Sequence, residues 1–414
     1  MFEIRTDLAI EEKTENRAEQ SVAGVSCREW REPSSMVKMT EVKILDEHGA
    51  RALRKPVGTY LTLEAKTMGK KDEDYHREVS EELAAQLVRM IREIQRKEEK
   101  ERSAGKVESM EWWRKQEEEK EQKEQKEQKE QKEQKEQKEQ KEQKEQEQSL
   151  KGIHLLVVGL GNAQVTPDAL GPEVLKHLKI TVYEPKKKEN DRTNHDTTNG
   201  DRKEWNKSLD VENCRTGWDG KSQDDERTIL TGIVPGVMAQ TGMETAQIMR
   251  GIVRETKPDL VIAIDALAAR SIRRLGTTIQ VTDTGIHPGS GVGNHRHGLT
   301  RESLGVPVIA IGVPTVVGTA AIVHDTVSVL IQTLLEHAQT REIGDFLDQL
   351  DSDEQYRLIC ELLEPEFGQM YVTPPDIDQT IKAISYTISE AIHIAFLGGV
   401  KKDKRNDAAG KKFR

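Results

Sequence analysis

Aromatic side chains make up only 4% of this 414-residue chain, and cysteine occurs three times. Cys27, Cys214 and Cys360 are scattered, odd in number and without a Cys-x-x-Cys pair, which excludes a disulfide framework and a zinc ribbon. Positive charge is not in excess either: 63 Lys and Arg face 73 Asp and Glu, a net charge of −10. Such a chain has no global basic footprint, so direct nucleic-acid binding is not expected. No stretch approaches the ~18 apolar residues of a membrane span. The opening "MFEIRTDLAIEEKTENRAEQ" is charged from its third residue and has no apolar core of signal-peptide length. These absences lead us to expect a soluble protein of a reducing cytoplasm, with no membrane partner.

Familiar catalytic and cofactor motifs are missing as well. There is no Gly-x-Ser-x-Gly elbow and no His-Glu-x-x-His. "GLGN" follows an apolar run as a dinucleotide loop would, but Gln164 stands where Gly-x-Gly-x-x-Gly needs its third glycine. "GSGVGN" lacks the Lys-Ser/Thr ending of a P-loop. No cofactor and no metal are expected. His295 and His297, in "GNHRHG", read as solvated loop histidines.

What is present falls into two materials. Residues 97–149 and 184–226 are nearly devoid of aliphatic side chains, whereas 150–183 and 229–335 are rich in them. The foldable part is therefore about 300 residues, enough for one sizeable core. Residues 120–146 repeat "KEQ" nine times. A period of three on a helix of 3.6 residues per turn makes no apolar stripe, so this segment reads as a solvated spacer. The stretch 184–227 reads as a second polar insertion, with Trp205 and Trp218 to pin it locally, and 401–414 as a basic solvated tail.

Between the insertions, "IHLLVVGLGN" (153–162), "PDLVIAIDALAAR" (258–270), "TTIQVTDTG" (277–285) and "VPVIAIGVPT" (306–315) are short apolar runs of the buried-strand type. Amphipathic helices are predicted at 319–338, 343–363 and 376–397. Another is predicted after Thr241 and Glu244, which have capping-box spacing. Strand and helix in alternation imply an α/β fold, with a mostly parallel central sheet flanked by helices and interrupted by disordered charged insertions.

In such folds ligands bind beyond the carboxyl ends of the strands. Two acidic residues lie there. Asp168, in "GLGNAQVTPDALGP", reads equally as a helix cap or as a functional carboxylate. Asp265 ends the aliphatic run 260–264, and a carboxylate buried there needs a partner or a task. Two carboxylates within about 3–6 Å do not both ionise easily, so one can take a proton from water while the other protonates the leaving group. That arrangement cleaves peptide bonds without a nucleophilic Ser or Cys.

Seven stretches in order then resemble one family, the spore germination protease of endospore-forming bacteria. They are "RTDLAIE", "KPVGTYLTLE", "VVGLGN…VTPDALGP", "PGVMAQTGMETAQIMRGIVRETKPDLVIAIDALAARS", "DTGIHPGSGVGN", "LGVPVIAIGVPTVV" and "MYVTP". The resemblance covers roughly residues 3–95, 150–183, 228–335 and 368–397. It implies an endopeptidase, an atypical aspartic peptidase with the α/β fold of hydrogenase maturation proteases, working as a homotetramer in the spore core. Its substrates would be the small acid-soluble proteins that coat spore DNA. Carried over motif by motif, the two essential aspartates are Asp168 and Asp265. The family is made as a zymogen, and its substrates are cut after an acidic residue and before a large apolar residue followed by Ala, with Glu close behind. "TDLAIE" fits this pattern, so self-cleavage between Asp7 and Leu8 is expected, with 1–7 as propeptide.

The resemblance divides the rest into peptidase segments 8–96, 150–183 and 228–400. Asp283 begins an Asp-Thr-Gly triplet, but pepsin-like sites need two such loops on all-β folds and this chain has one on an α/β pattern. Asp283, His287 and Asn162 are therefore placed beside the cleft rather than at the reacting atoms. Two rivals are kept. One is a metal-dependent peptidase using Asp168, Asp265 and His287 as O/O/N ligands. The other is a non-catalytic binding protein for the same substrates.

Overall fold

The computed structural model of the chain describes residues 8–9, 11, 23–31, 37–65, 73–107, 152–181, 228–289, 297–337, 339–347, 349–368 and 370–397. The KEQ repeat, the stretch 184–227, the tail 401–414, Asp7 and His295 lie outside the described residues.

Nine strands among the described residues form one mixed sheet: β1 (Val25–Arg31), β2 (Lys38–Ile44), β3 (Gly58–Glu64), β4 (His154–Gly159), β5 (Ile229–Ile233), β6 (Leu260–Ala269), β7 (Thr278–Thr282), β8 (Val308–Gly318) and β9 (Tyr371–Val372). Their order is β1-β2-β3-β7-β8-β6-β4-β5, with β9 on the far end of β8. Only the pairs β8–β6, β6–β4 and β4–β5 are parallel, while β1–β2, β2–β3, β3–β7, β7–β8 and β8–β9 are antiparallel. The expected mostly parallel sheet is thus corrected. Helical crossovers serve one half of it, and an antiparallel meander from the N-terminal segment makes the other half.

The two-fold alternation along β4 and β6 explains why these strands are apolar throughout. Leu155, Val157, Leu260, Ile262 and Ile264 enter one core, while Leu156, Val158, Val261 and Ala263 enter another on the opposite face. The first face is covered by α2 (Glu73–Val107), α3 (Leu170–His177) and α8 (Ile377–Leu397), which follow α1 (Glu47–Leu53) and its cap Asp46 in the chain. Helix α2 runs on through residue 97, where composition turns polar, to Val107. The second face is covered by α4 (Thr245–Thr256), through Ala246, Met249 and Val253.

Three local expectations are revised. The capping box at Thr241 and Glu244 does not form. Gly242, at φ 69°, ends a short turn Met238–Thr241, and α4 begins after Glu244 with no side-chain cap. The helix predicted over 343–363 is two, α6 (Arg341–Leu347) and α7 (Ser352–Phe367), because Asp351 Oδ1 accepts from Glu354 N at 2.7 Å and opens a new helix. Before them, α5 (Thr319–Glu336) follows β8 directly. Finally, β6 does not stop at Asp265 but continues to Ala269, since β8 pairs with it all the way. What stops there is β4, whose last partner on β6 is Ile264.

Candidate active site

Beyond the end of β4 the chain makes a tight loop that two glycines allow. Gly161 has φ 101°, and a Cβ there would lie 2.0 Å from the Asp168 carbonyl oxygen. Asn162 N then donates to Asp168 Oδ2 at 2.8 Å. Thr166-Pro167-Asp168 forms a 3-10 turn, with Pro early in the turn where its missing N–H costs nothing. Helix α3 starts after it, and its first turn lies directly on the strand ends. A Cβ on Gly171 would stand 2.5 Å from Leu160 N and 2.6 Å from the Ile264 carbonyl oxygen. Its cap position is Ala169, with no side-chain bond, so Asp168 is not a helix cap.

Asp265 lies one residue past the last β4 pairing, in register with Gly312 of β8. It is 5% exposed, and its Oδ1 accepts from Ala266 N at 2.9 Å. Two residues further β8 carries one extra residue, Thr315, between partners of Leu267 and Ala268. That bulge turns Thr315 and Val316 toward the aspartates, as bulges beside active sites commonly do. Thr373 Oγ1 donates to the Thr315 carbonyl at 2.8 Å and ties β9 to the bulge.

Asp168 and Asp265 line a single cavity of about 390 Å³, walled by Leu160, Val165, Val237, Leu267, Thr315, Tyr371 and Thr373 and rimmed by Pro288 and Gly289. Its apolar walls and few polar groups suit a peptide segment, and it opens at the carboxyl ends of the parallel strands. Asn162 follows the lining residue Gly161. Besides holding Asp168 through its N–H, its Oδ1 accepts from Gln164 N at 3.0 Å and from Gln240 Nε2 at 2.8 Å.

The other predicted residues lie apart from this pair. Asp283 is not among the lining residues. Its Oδ1 accepts from Thr59 N at 2.7 Å and its Oδ2 lies 3.6 Å from Lys97 Nζ, so it ties the start of β3 to the end of β7 and to α2. His287 lines a neighbouring cavity of about 80 Å³ with Tyr60, Gln280 and Thr282, and Leu267 is the wall between the two spaces. Tyr60 donates to the Pro56 carbonyl at 2.9 Å, and burial pushes its phenol well above the ordinary value. His297 is exposed, with its Nδ1 2.5 Å from Glu244 Oε2. Among the described residues no three His, Cys, Asp or Glu side chains converge as metal ligands, so Asp168, Asp265 and His287 are not assembled as one set.

The expected cleavage point brings the N-terminus to the same face. Leu8 is fully buried against Leu267, Ala269, Leu275, Val317 and Ala321. Ala9, also buried, donates from its N–H to Gln280 Oε1 at 2.8 Å. Sequence reasoning missed Gln240, Thr315, Tyr371 and Thr373. Only "MYVTP", quoted for the resemblance, signalled the last two.

Residues 3–107 and 223–343 match the family model described as germination protease, a span that includes Asp265 and leaves Asp168 between its two parts. Curated relatives named germination protease align over nearly the whole chain. That of Caldanaerobacter subterraneus subsp. tengcongensis is 37% identical over 404 residues, 97% of each chain. Those of Clostridium tetani and Bacillus subtilis are 33% and 32% identical, covering 95% and 97% of this chain and 95% of each relative. A site able to hold a peptide, on a chain aligned end to end with these peptidases, places the protein in the germination protease family, whose members hydrolyse peptide bonds.

Proposed function

We propose that this chain is an endopeptidase of the spore core that degrades small acid-soluble spore proteins at germination, with Asp168 and Asp265 as the catalytic pair. The observation that carries the reading is their convergence on one peptide-sized cavity, each carboxylate oriented by a backbone N–H. One carboxylate takes a proton from water as the water oxygen attacks the scissile carbonyl carbon. The other gives a proton to the amide nitrogen as the C–N bond breaks. Backbone donors on both carboxylates fix their direction, and placement of this kind accounts for a large share of rate enhancement. Asn162 positions Asp168, while Asp283 and His287 support the loop that rims the cavity. The enzyme assembles as a homotetramer and matures by cutting itself between Asp7 and Leu8.

The test is cleavage of a purified small acid-soluble spore protein, with fragments mapped by mass spectrometry. Cuts after Glu or Asp that survive chelator and vanish in Asp168→Asn and Asp265→Asn are expected. Loss of cutting in chelator would favour a metal-dependent reaction instead. Undiminished cutting by either variant would remove that residue from the mechanism.

A further inference from the structure

We propose that Thr245, with the first turn of α4, receives the acidic side chain that precedes the bond to be cut. The inference rests on the reading of Asp168 and Asp265 as the cleaving pair and adds to it a residue that selects the substrate.

Strands β5, β4 and β6 run parallel, and α4 returns the chain from β5 to β6. A helix making such a return runs against its strands, so its N-terminus comes out at their carboxyl ends. Asp168 and Asp265 stand at those ends. Thr245, the first residue of α4, lines the same cavity as the two aspartates. The N–H groups of a helix's first turn have no partner within the helix, and the aligned peptide dipoles place roughly half a positive charge there. Anions are therefore favoured at this end. In α4 no side chain fills the place. The cap position is Glu244, which makes no side-chain cap bond. Its carboxylate is engaged instead by the exposed His297, whose Nδ1 lies 2.5 Å from Glu244 Oε2.

The side chain of Thr245 points to a ligand independently. Thr245 is only 7% exposed, yet among the described residues its hydroxyl takes part in no hydrogen bond. The oxygen is not sealed in the interior either, so it meets open space, and the open space beside Thr245 is the aspartate cavity. A hydroxyl so placed carries a desolvation cost until a ligand bonds it. The charges of the cavity show what that ligand needs. Its described lining residues include no Lys, Arg or His, so an acidic side chain finds no ion-pair partner among them. It must also enter beside two aspartates. The first turn of α4 supplies a hydroxyl and backbone N–H groups as donors, and a carboxylate can accept from all of them. A glutamine side chain of the same shape turns half of its amide into a donor, which meets these donors unfavourably.

The experiment measures kcat and KM of the full chain on two peptides that differ only in Glu or Gln before the cut bond, with fragments mapped by mass spectrometry. Wild type should favour the Glu peptide in kcat/KM. Thr245→Val should shrink that preference about tenfold, chiefly by raising KM for the Glu peptide. Thr245→Ser keeps the hydroxyl and should keep the preference. A preference that survives intact in Thr245→Val overturns the inference. An equal fall for both peptides overturns it too, since Thr245 would then serve the reacting carbonyl or the fold. Loss of the preference in Thr245→Ser has the same force, because the methyl group would be the part that matters. Wild type that cuts both peptides alike shows that the cavity does not read the charge, and the inference fails. Wild type that cuts neither refutes the aspartate reading beneath it.

Discussion

Gly171→Ala is the most demanding test of how the site is built. Gly171 is the second residue of α3, and the Cβ that Ala adds would fall 2.5 Å from both Leu160 N and Leu160 O and 2.6 Å from the Ile264 carbonyl oxygen. All three are backbone atoms, so no flexible side chain can give way. Comfortable carbon contacts begin near 3.5 Å, so α3 must retreat by about 1 Å. Overpacking of this kind costs about 1–3 kcal/mol of stability. Asp168 lies two residues before α3 and would move with it, and if Asp168 is catalytic a shift of about 1 Å should lower the rate about 100-fold.

Gly251→Ala provides the contrast. It lies in the middle of α4 with nothing within 4 Å of its Cβ position, so Ala there should add about 0.5–1 kcal/mol by helix propensity alone. Thermal melts and peptide-cleavage rates of the two variants should therefore move in opposite and unequal ways. Gly171→Ala should melt several degrees lower and cleave poorly, whereas Gly251→Ala should melt slightly higher and cleave normally. If Gly171→Ala cleaved within about twofold of wild type at an unchanged melting temperature, the account of how α3 delivers Asp168 would be wrong.

Other outcomes are expected of the same preparation. Asp283→Asn should lose about 1–2 kcal/mol, because the bond from Thr59 N is no longer charge-assisted, but should still cleave peptides. Abolished cleavage in a folded Asp283→Asn protein would restore the Asp-Thr-Gly triplet as a catalytic element. Burial holds His154 and His393 below the ordinary value of 6.5. The unfolded chain then binds protons more readily than the folded one, so stability is full above about pH 6.5 and falls as pH drops below it. His393 Nε2 accepts from Lys179 N at 2.9 Å, a bond that protonation breaks. Melts of His393→Gln between pH 7 and 5 should slope less than wild type, and an unchanged slope would remove His393 from the effect. Deleting the KEQ repeat, residues 120–146, should leave the peptide-cleavage rate unaltered, since a spacer with no apolar stripe has nothing to contribute to the cavity.

The parallel half of the fold was legible because burial on both faces leaves an unmistakable trace, as in "LLVVG" and "LVIAIDALAA". Strand direction leaves none. In β7, Ile279 and Val281 face the core while Thr278, Gln280 and Thr282 face the other way, and the pattern reads identically whether the strand runs up or down. Only the connection decides. Helices return the chain between β4, β5 and β6, whereas β7 follows β6 after one short 3-10 turn and pairs antiparallel with β8. The break between α6 and α7 was hidden for a related reason. The apolar period continues across 348–351, and a single capping bond from Asp351 decides where one helix ends.

The proposed pair of aspartates stood out in the sequence where other buried charges did not, and the difference lies in what each residue costs. A charged side chain inside an aliphatic strand violates local expectation, so Asp265 announces itself whatever surrounds it. Asp168 announces itself through the glycines and proline that shape its loop. Glu11 and Arg274 break no local rule. Each is an ordinary charged residue in a charged neighbourhood, and their pairing spans more than 250 positions of sequence. Glu11 accepts from Arg270 N and Ser271 N and lies 3.4 Å from Arg274 only because β6 carries the chain past the end of β4. Asp283 is the converse case. Its triplet is conspicuous in the sequence, yet its carboxylate is occupied by Thr59 N and lies outside the aspartate cavity. A motif identifies chemistry only when the fold delivers its side chain to open space beside a partner. Asp168 and Asp265 meet that condition, and Asp283 spends its charge holding two strands together.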